Sequence, residues 1–498
     1  MAVSRLIAAL TLAALAGASA APAGSQTPAP VAASAHETVS TNDPAAQADF
    51  DRGLAMLYAF SVGEARLAFA SAAAHDPHLA MARWGEAEAE TIDINLPQTD
   101  DGDKRGARAI VLARQQEAGA TPLERALIGA LAQRYAKGSA SRRFRWYSDA
   151  MNRVAGAFPG DANVLTLAAY AEWNAVDDLS ARDAASTASA ARMVRELDRA
   201  LQLDPANIGA HHLRIHVLEV LGRAPDALAD AQYLDGLDYA PGMSHLPHMS
   251  GHIYARVGDY GALVAANVRA VANDDAYFAA GDGIGQQYTR RYHNHDLEFV
   301  LYGLTTQGRN GEAAAALTNE SAAEKLHLAL RLHDDAGALA HSAASPAGAA
   351  YRAIALARNG RAPEAIAVLK SAVSNGSYDR ARNAVAAAVV ARAQGRLDDA
   401  AADYRSALKE LGSAPGDPKD LWFVPAGEGL GAVLLAAGRN ADAETVFRRE
   451  LVRFPNDPRL AFGLAEALAA QGKDGAAERA IVAREWKGAH PLTRGDLG

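Results

Sequence analysis

A short pattern of small residues recurs along this chain and constrains its fold more than any other feature. A glycine, usually followed by a basic residue, stands five residues before an alanine. The pairs are Gly222 with Ala227, Gly308 with Ala313, Gly360 with Ala365, Gly395 with Ala400, Gly438 with Ala443 and Gly472 with Ala477. Glycine is the residue best suited to end a helix, and alanine lets the next helix pack closely against the first. The pattern predicts antiparallel helix pairs. Gly258 fits it too, with Leu263 in place of the alanine.

The spacing of these pairs identifies the repeat. Gly438 and Gly472 are 34 residues apart, which is the period of the tetratricopeptide repeat. The same repeat explains an earlier series of small residues around one large residue, closed by a proline: Gly53, Ala65, Phe69, Ala72 and Pro77. We therefore predict an all-α fold, a tetratricopeptide-repeat superhelix (an α-solenoid of antiparallel helix pairs). In such a fold the first helix of each pair lines a concave groove.

The chain divides into six predicted segments. Residues 1–20 have a charged start, a short apolar run and an A-x-A ending, which is typical of a cleaved signal peptide. The protein is therefore expected to be periplasmic or secreted. Residues 21–41 are rich in Ala, Pro, Ser and Thr and are predicted to be a flexible leader. The remaining segments are N-terminal helical repeats at 42–205, central histidine-rich repeats at 206–320, C-terminal tetratricopeptide repeats at 321–486 and a tail at 487–498.

Composition excludes several classes of function. The formal net charge is −9, so the chain lacks the basic surface with which proteins bind nucleic acid. After the predicted signal peptide, no apolar run approaches the length of a membrane span. The chain has no cysteine, so disulfides are excluded and a metal site would have only nitrogen and oxygen ligands.

Histidines are concentrated in the central repeats, and they fall in register with the glycines. Eight of the fifteen lie between Gly209 and Tyr302. Two H-x-x-x-H pairs stand ten and six residues before successive glycines, and residues four apart share a helix face. The pairs are His212 with His216, before Gly222, and His248 with His252, before Gly258. Glu298 and Tyr302 occupy the same positions before Gly308, and His245 and His295 both stand thirteen before their glycines.

This register predicts a metal site in the groove. Paired histidines one helical turn apart are a known arrangement of zinc ligands. The predicted ligands are His212, His216, His248 and His252, completed by His245, His295 or Glu298. Histidine with carboxylate suits Zn, Cu(II) or non-haem Fe equally. If the ion were catalytic, Glu298 would be the general base, and Arg256 or Tyr254 would orient an anionic substrate.

Three functions remain open from the residues alone. The first is a metalloprotein, with or without enzymatic activity, whose metal binds a small molecule. The second is a metal-free periplasmic scaffold that binds a peptide or protein in its groove and uses the histidines for hydrogen bonding. The third is storage or delivery of a metal ion. Whether the protein is an enzyme stays undecided.

The chain also resembles a family of long bacterial tetratricopeptide-repeat proteins that have eukaryotic relatives. Its first matching motif is Gly209-Ala-His-His-Leu-Arg-Ile-His216. The second runs from Ser244 to Gly258 and contains His-Leu-Pro-His-Met-Ser-Gly-His-Ile-Tyr-Ala-Arg-Val. A third family motif departs here, because Glu298 stands where the family has a histidine. The resemblance implies the repeat fold over most of the chain and does not imply an activity.

Overall fold

The computed structural model describes residues 31–95, 99–181, 183–281, 286–317, 322–343, 348–412 and 422–498. They form two compact units. The N-terminal unit contains the described residues up to Ile253 together with Arg269–His293, and the C-terminal unit contains Tyr254–Val268 and Asn294–Gly498. The predicted signal peptide lies outside the described residues. The predicted segment boundaries at 205/206 and 320/321 stay predictions.

Helices make up both units, as the all-α prediction requires. The first ten are α1 (Pro44–Tyr58), α2 (Val62–His75), α3 (Ala80–Glu88), α4 (Asp100–Gln116), α5 (Pro122–Arg134), α6 (Ala140–Ala157), α7 (Ala162–Ala175), α8 (Ala184–Leu203), α9 (Ile208–Val220) and α10 (Leu228–Asp235). Three helices contribute residues to both units: α11 (His245–Val257), α12 (Tyr260–Ala279) and α13 (Gln286–Thr306).

The C-terminal unit continues with shorter pairs. Its helices are α14 (Asn310–Ala316), α15 (Ala322–Arg331), α16 (Asp335–His341), α17 (Ala349–Arg358), α18 (Ala362–Leu369), α19 (Ser377–Ala393), α20 (Leu397–Leu411), α21 (Ala426–Ala436), α22 (Asn440–Arg453), α23 (Pro458–Ala469) and α24 (Ala476–Glu485). None of the helices in the described ranges is both long and apolar enough to cross a membrane.

The recurring glycines end first helices, as predicted. Gly360 follows α17 with a φ of +73°. Its amide donates to the Ala357 carbonyl at 3.1 Å, and the Arg361 amide donates to the Leu356 carbonyl at 2.8 Å. This is the Schellman motif, which places glycine in the left-handed region. The other first-helix glycines of the series also have positive φ: Gly222, Gly258, Gly308, Gly395, Gly438 and Gly472.

The small residues pack as the repeat demands, with one exception. Ala227, Ala313, Ala365, Ala400 and Ala443 are all fully buried. The exception, Ala477, is exposed, so its predicted packing role is wrong. Helix α24 has no buried residue, because no later helix pair in the described part of the chain covers it.

The N-terminal series packs around one phenylalanine. The Phe69 ring is fully buried between α1 and α3. A Cβ atom on Gly53 would come within 2.7 Å of the ring, and one on Gly85 within 2.4 Å. Only glycine at both positions lets the two helices approach the ring this closely, which confirms the prediction of small residues around a large one.

Residues 31–41, in the predicted leader, contact segments that are distant in sequence. Strand β1 (Val31–Ala32) pairs in parallel with β2 (Leu237–Asp238). Farther along, Val39 is buried, and the Ser40 amide donates to the Glu124 carboxylate at 2.7 Å. The flexibility of residues 21–41 therefore stays a prediction. Within residues 31–41, backbone groups of this polar segment find partners far away in sequence, on strand β2 and on helix α5.

The left-handed conformation of Gly360 leads to a prediction about the free energy of unfolding. A Cβ atom on Gly360 would meet nothing within 4 Å, so Gly360→Ala adds only the strain of a left-handed backbone, about 1–2 kcal/mol. Gly129 is also free of neighbours but lies within α5, where Gly→Ala is expected to stabilise by about 0.5–1 kcal/mol. Urea denaturation of the two variants should shift in opposite directions. Equal shifts would contradict the assigned helix end.

Candidate metal site

Helix α9 carries the first histidine pair. The Asn207 side chain caps its start by accepting from the Ala210 amide at 2.9 Å. A Cβ atom on Gly209 would lie 2.5 Å from the Tyr58 ring, so this glycine lets α9 pack tightly against the end of α1. The close approach brings His212 and His216, one turn apart, toward the residues that follow α1.

The two imidazoles of this pair face each other through Nε2. The Nε2 atoms of His212 and His216 are 3.1 Å apart. The other nitrogen of His212, Nδ1, donates to the Tyr58 carbonyl at 2.7 Å and lies 3.0 Å from the Tyr170 hydroxyl. Since Nδ1 carries the proton, Nε2 of His212 is unprotonated and has a lone pair that can accept a hydrogen bond or bind a metal. An imidazole that binds metal through one nitrogen typically donates the N–H of its other nitrogen to a backbone carbonyl or carboxylate.

Helix α11 repeats the arrangement. The Nε2 atoms of His248 and His252 are 2.9 Å apart. Nδ1 of His252 lies 3.2 Å from the Glu219 carboxylate, which accepts a hydrogen bond from Nδ1–H and leaves Nε2 unprotonated. His248 is fully buried. The second pair thus has its own carboxylate partner, which the sequence analysis did not predict.

His245 lies between the pairs. Its ring centre is 4.9 Å from that of His212 and 5.8 Å from those of His216 and His248. It is 4% exposed, and its Nδ1 has no hydrogen-bond partner among the described residues. A buried nitrogen without a partner is costly unless something else binds it.

Three of these histidines form a candidate ligand group for a single ion. One nitrogen each from His212, His216 and His245 can be chosen so that all three lie within 4.8 Å of one another. Ligands about 2.05 Å from a zinc ion stand about 3.3 Å apart in a tetrahedron and about 2.9 Å apart at a right angle. The separations within the two pairs, 3.1 and 2.9 Å, fall in or near this range.

Burial keeps the cluster neutral. It lowers the pKa of His212 to about 3, opposed by the hydrogen bond to Tyr58 and helped by the neighbouring His248. Burial, followed by repulsion from the neighbouring imidazoles, also lowers the pKa of His216 and His245 well below the ordinary value. Neutral imidazoles are the form that binds metal.

These lowered pKa values predict acid lability of the metal-free protein. Below about pH 6.5 the unfolded chain binds a proton at His212, whereas the folded chain does so only near pH 3. Stability therefore falls as the pH is lowered through this window, by about 2 kcal/mol per such imidazole at pH 5. Urea midpoints of the metal-free protein at pH 7.5 and pH 5 measure the effect. A His212→Gln variant should lose less on acidification, and an equal loss would contradict the assignment.

Phe60 covers the cluster and was missed by the sequence analysis. Its ring centre lies 4.6 Å from that of His212, 6.1 Å from His216 and 5.3 Å from His245. Phe60 has a φ of +56°, which is rare for a bulky residue. It occupies the helix-ending position that Gly360 and the other glycines of the series take, with the Ser61 amide donating to the Met56 carbonyl. One signal could have revealed it: Phe60 stands five residues before Ala65, like each glycine before its alanine.

The other predicted site residues belong to the C-terminal unit. These are His295, Glu298, Tyr254 and Arg256. The Glu298 carboxylate lies 3.5 Å from Nδ1 of His327, and Tyr254 is buried. The site described here accordingly consists of residues of the N-terminal unit, and the catalytic roles of Glu298, Arg256 and Tyr254 stay predictions.

His211 contacts helix α10 and lies outside the cluster's ligand group. Its Nδ1 is 2.7 Å from the Asp230 carboxylate, and its ring stacks on Tyr233 at 4.1 Å. Both interactions tie α9 to α10. His211 therefore serves as a control for the cluster, since it is the direct neighbour of His212.

Comparison with known proteins supports the fold. The tetratricopeptide-repeat family model matches residues 351–418 and 429–491, so this part of the chain consists of tetratricopeptide repeats. With the helix pairs described above, this confirms the predicted all-α tetratricopeptide-repeat fold. No curated protein matches the chain.

Several solved structures also match the chain over much of its length. The tetratricopeptide-repeat domain of P58(IPK) is 14% identical, with 81% of this chain and 99% of that chain covered and a TM-score of 0.22. Yeast Tom70 is 11% identical, with 84% and 87% covered and a TM-score of 0.29. Naa15/Naa10 bound to HypK-THB is 16% identical, with 89% and 70% covered and a TM-score of 0.21.

Proposed function

We propose that this tetratricopeptide-repeat protein binds a divalent metal ion through His212, His216 and His245. The observation that supports this most strongly is the buried Nδ1 of His245, which has no hydrogen-bond partner in the described part of the chain. The His245 imidazole also belongs to the group of three in which one nitrogen of each ring lies within 4.8 Å of the others. Satisfying that nitrogen with a metal removes the cost of burying it unpaired.

The surroundings of the cluster support the same function. His212 and His252 each donate Nδ1–H to an oxygen acceptor, the Tyr58 carbonyl and the Glu219 carboxylate. These bonds fix the tautomer in which Nδ1 carries the proton and Nε2 is the unprotonated nitrogen that a metal requires. His248 and His252 would extend the ligand set around the same ion or hold a second one. Zn, Cu and Fe all accept such ligands.

The wider role in this proposal rests on the fold and on the predicted signal peptide. The protein is exported to the periplasm or secreted, and it holds its metal inside a repeat scaffold of a class that binds peptides or proteins. Activity as an enzyme would need a substrate beside the ion, with Glu298, Arg256 and Tyr254 as the predicted catalytic residues. Storage or delivery of the ion would need only reversible exchange.

Metal titration of the chelator-treated protein tests the proposal. The untagged protein is dialysed against Zn²⁺, Cu²⁺ or Fe²⁺ and the bound metal is measured. We expect binding that falls more than about a hundredfold in affinity in His212→Ala/His216→Ala, because losing ligands costs more than losing their outer partners. His211→Gln, beside the cluster but paired with Asp230, should bind normally. The proposal would be contradicted if His212→Ala/His216→Ala and His211→Gln both bound the metal as weakly as the wild type.

A metal-free scaffold is the second candidate, and one observation favours it. The 3.1 Å separation of the Nε2 atoms of His212 and His216 also fits a hydrogen bond in which His216 donates to His212. In that case the cluster stabilises the packing of α9, and the partner is a peptide or protein. A stable, metal-free wild type that is indifferent to chelator would select this function.

A further inference from the structure

One cavity in the C-terminal unit is lined mainly by basic residues. Its volume is about 500 Å³, and residues near the ends of α20 and α22 line it. Arg405 and Lys409 stand one helical turn apart on α20, so they share a helix face. Arg449 and Arg453 have the same relation on α22. The lining residues are Arg405, Leu408, Lys409, Gly412, Arg449 and Arg453. Cavities of about 300–1,000 Å³ are typical of small-molecule sites.

One carboxylate holds two of these cations. Glu450 is 3% exposed, and its oxygens lie 2.9 Å from a guanidinium nitrogen of Arg449 and 3.5 Å from one of Arg453. Arg405 and Lys409 form no ion pair with any other described residue. The lining therefore carries four cationic side chains, and Glu450 balances the charge of one of them.

Exposed arginines elsewhere on the same two helices have carboxylate partners. Arg448, on α22, lies 2.9 Å from Glu444. Arg396, at the start of α20, lies 2.5 Å from Asp399. The cavity departs from this pattern, although acidic residues outnumber basic ones in the chain as a whole. The contrast favours a bound anion as the partner of the cations in the cavity.

Helix ends explain only part of this charge. The carbonyl end of a helix favours cations in its last turn, and Lys409 and Arg453 occupy the last turns of α20 and α22. Arg405 and Arg449 lie about one turn earlier, where this effect has faded. Their positions therefore need another reason, and an anion in the cavity provides one.

We propose that this cavity binds a small phosphorylated compound. A phosphate monoester carries a charge of about −1.5 to −2 at pH 7 and has three acceptor oxygens, which arginine guanidinium groups bind in pairs. Three of the four cations are arginines, and Lys409 adds a point charge. A phosphate group alone would fill only part of the cavity, so the organic portion of the ligand occupies the rest and contacts Leu408. The proposal does not depend on the metal site, whose proposed ligands belong to the N-terminal unit.

Isothermal titration calorimetry of the full chain with glycerol 2-phosphate, in a buffer without inorganic phosphate, tests this proposal. We expect saturable binding whose affinity falls at least about tenfold in Arg405→Gln/Arg449→Gln, because charge-assisted hydrogen bonds are lost. The matched control is Arg396→Gln/Arg448→Gln, which removes the same charge near the same helices from arginines outside the cavity lining. The control should bind like the wild type, and treatment with chelator should leave binding unchanged.

Four outcomes would overturn the proposal. The first is no binding of glycerol 2-phosphate by the wild type. The second is an equal loss of affinity in both double variants, which would show general attraction between charges. The third is tighter binding of citrate than of glycerol 2-phosphate, which would indicate a carboxylate ligand. The fourth is loss of binding after chelator treatment, which would indicate that the phosphate binds through a metal.

A measurement on the wild type keeps the proposal testable if Arg405→Gln/Arg449→Gln does not fold. Phenylglyoxal modifies accessible arginines, and mass spectrometry measures its rate at each of them. Glycerol 2-phosphate should slow the modification of Arg405 and Arg449, which are both exposed, and leave Arg448 unaffected. Equal rates with and without glycerol 2-phosphate at Arg405 and Arg449 would contradict the proposal.

Discussion

Phe60→Ala is expected to lower the free energy of unfolding of the N-terminal unit by about 3–5 kcal/mol, the range for losing a buried aromatic ring. The ring is fully buried and contacts Tyr170 as well as three imidazoles of the cluster. Removing it would leave a cavity beside His212 and admit water to the cluster. Urea denaturation followed by circular dichroism measures the loss.

Phe60→Gly provides the matched control. At most buried positions glycine is worse than alanine, because it orders a more flexible chain. Here the backbone is left-handed, with a φ of +56°, and glycine removes strain that alanine retains. We therefore expect the glycine variant to be more stable than the alanine variant by about 1 kcal/mol. An alanine variant that is the more stable of the two would show that Phe60 is unstrained.

Arg331→Met is expected to destabilise the C-terminal unit by about 3–5 kcal/mol, because it leaves a buried carboxylate without its partner. The Arg331 guanidinium lies 3.2 Å from both carboxylate oxygens of Glu428. The side chains are 6% and 2% exposed, so water cannot replace the lost interaction. The loss should appear in urea denaturation at neutral pH.

The double variant Arg331→Met/Glu428→Gln separates the pair from its surroundings. Replacing both charged groups removes the unpaired charge, and the glutamine carbonyl can still accept from the Gly498 amide. The double variant should be more stable than Arg331→Met alone. The single variants Arg331→Met and Glu428→Gln are measured beside it. If the double variant loses as much free energy of unfolding as the two single variants added together, the two side chains are not coupled and the buried ion pair is not what stabilises this region.

Local spacing was enough to predict the repeat framework. A glycine ends a first helix because of its backbone conformation. The alanine five residues later is buried because of one nearby contact. Both were therefore readable from positions such as Gly360 and Ala365. The paired histidines could be placed by the same reasoning, since a helix fixes which residues share a face.

Contacts between distant segments could not be read in this way. The Tyr58 carbonyl that accepts from His212 lies 154 positions away in sequence, and Glu428 lies 97 positions from Arg331. The spacing of residues within one helix carries no information about such partners. The same holds for residues 31–41, whose polar composition predicts flexibility although their amides and hydroxyls bind helices elsewhere, as Ser40 binds Glu124.

The metal content of the native protein tests the central claim most directly. The untagged protein is purified without chelator, and its metals are measured by inductively coupled plasma mass spectrometry beside His216→Ala/His245→Ala and the exposed-site control His78→Ala. We predict about one or two ions per chain in wild type and control, loss of metal from the double variant, and a wild type that chelator destabilises. A metal-free wild type whose unfolding is unchanged by chelator would contradict the account.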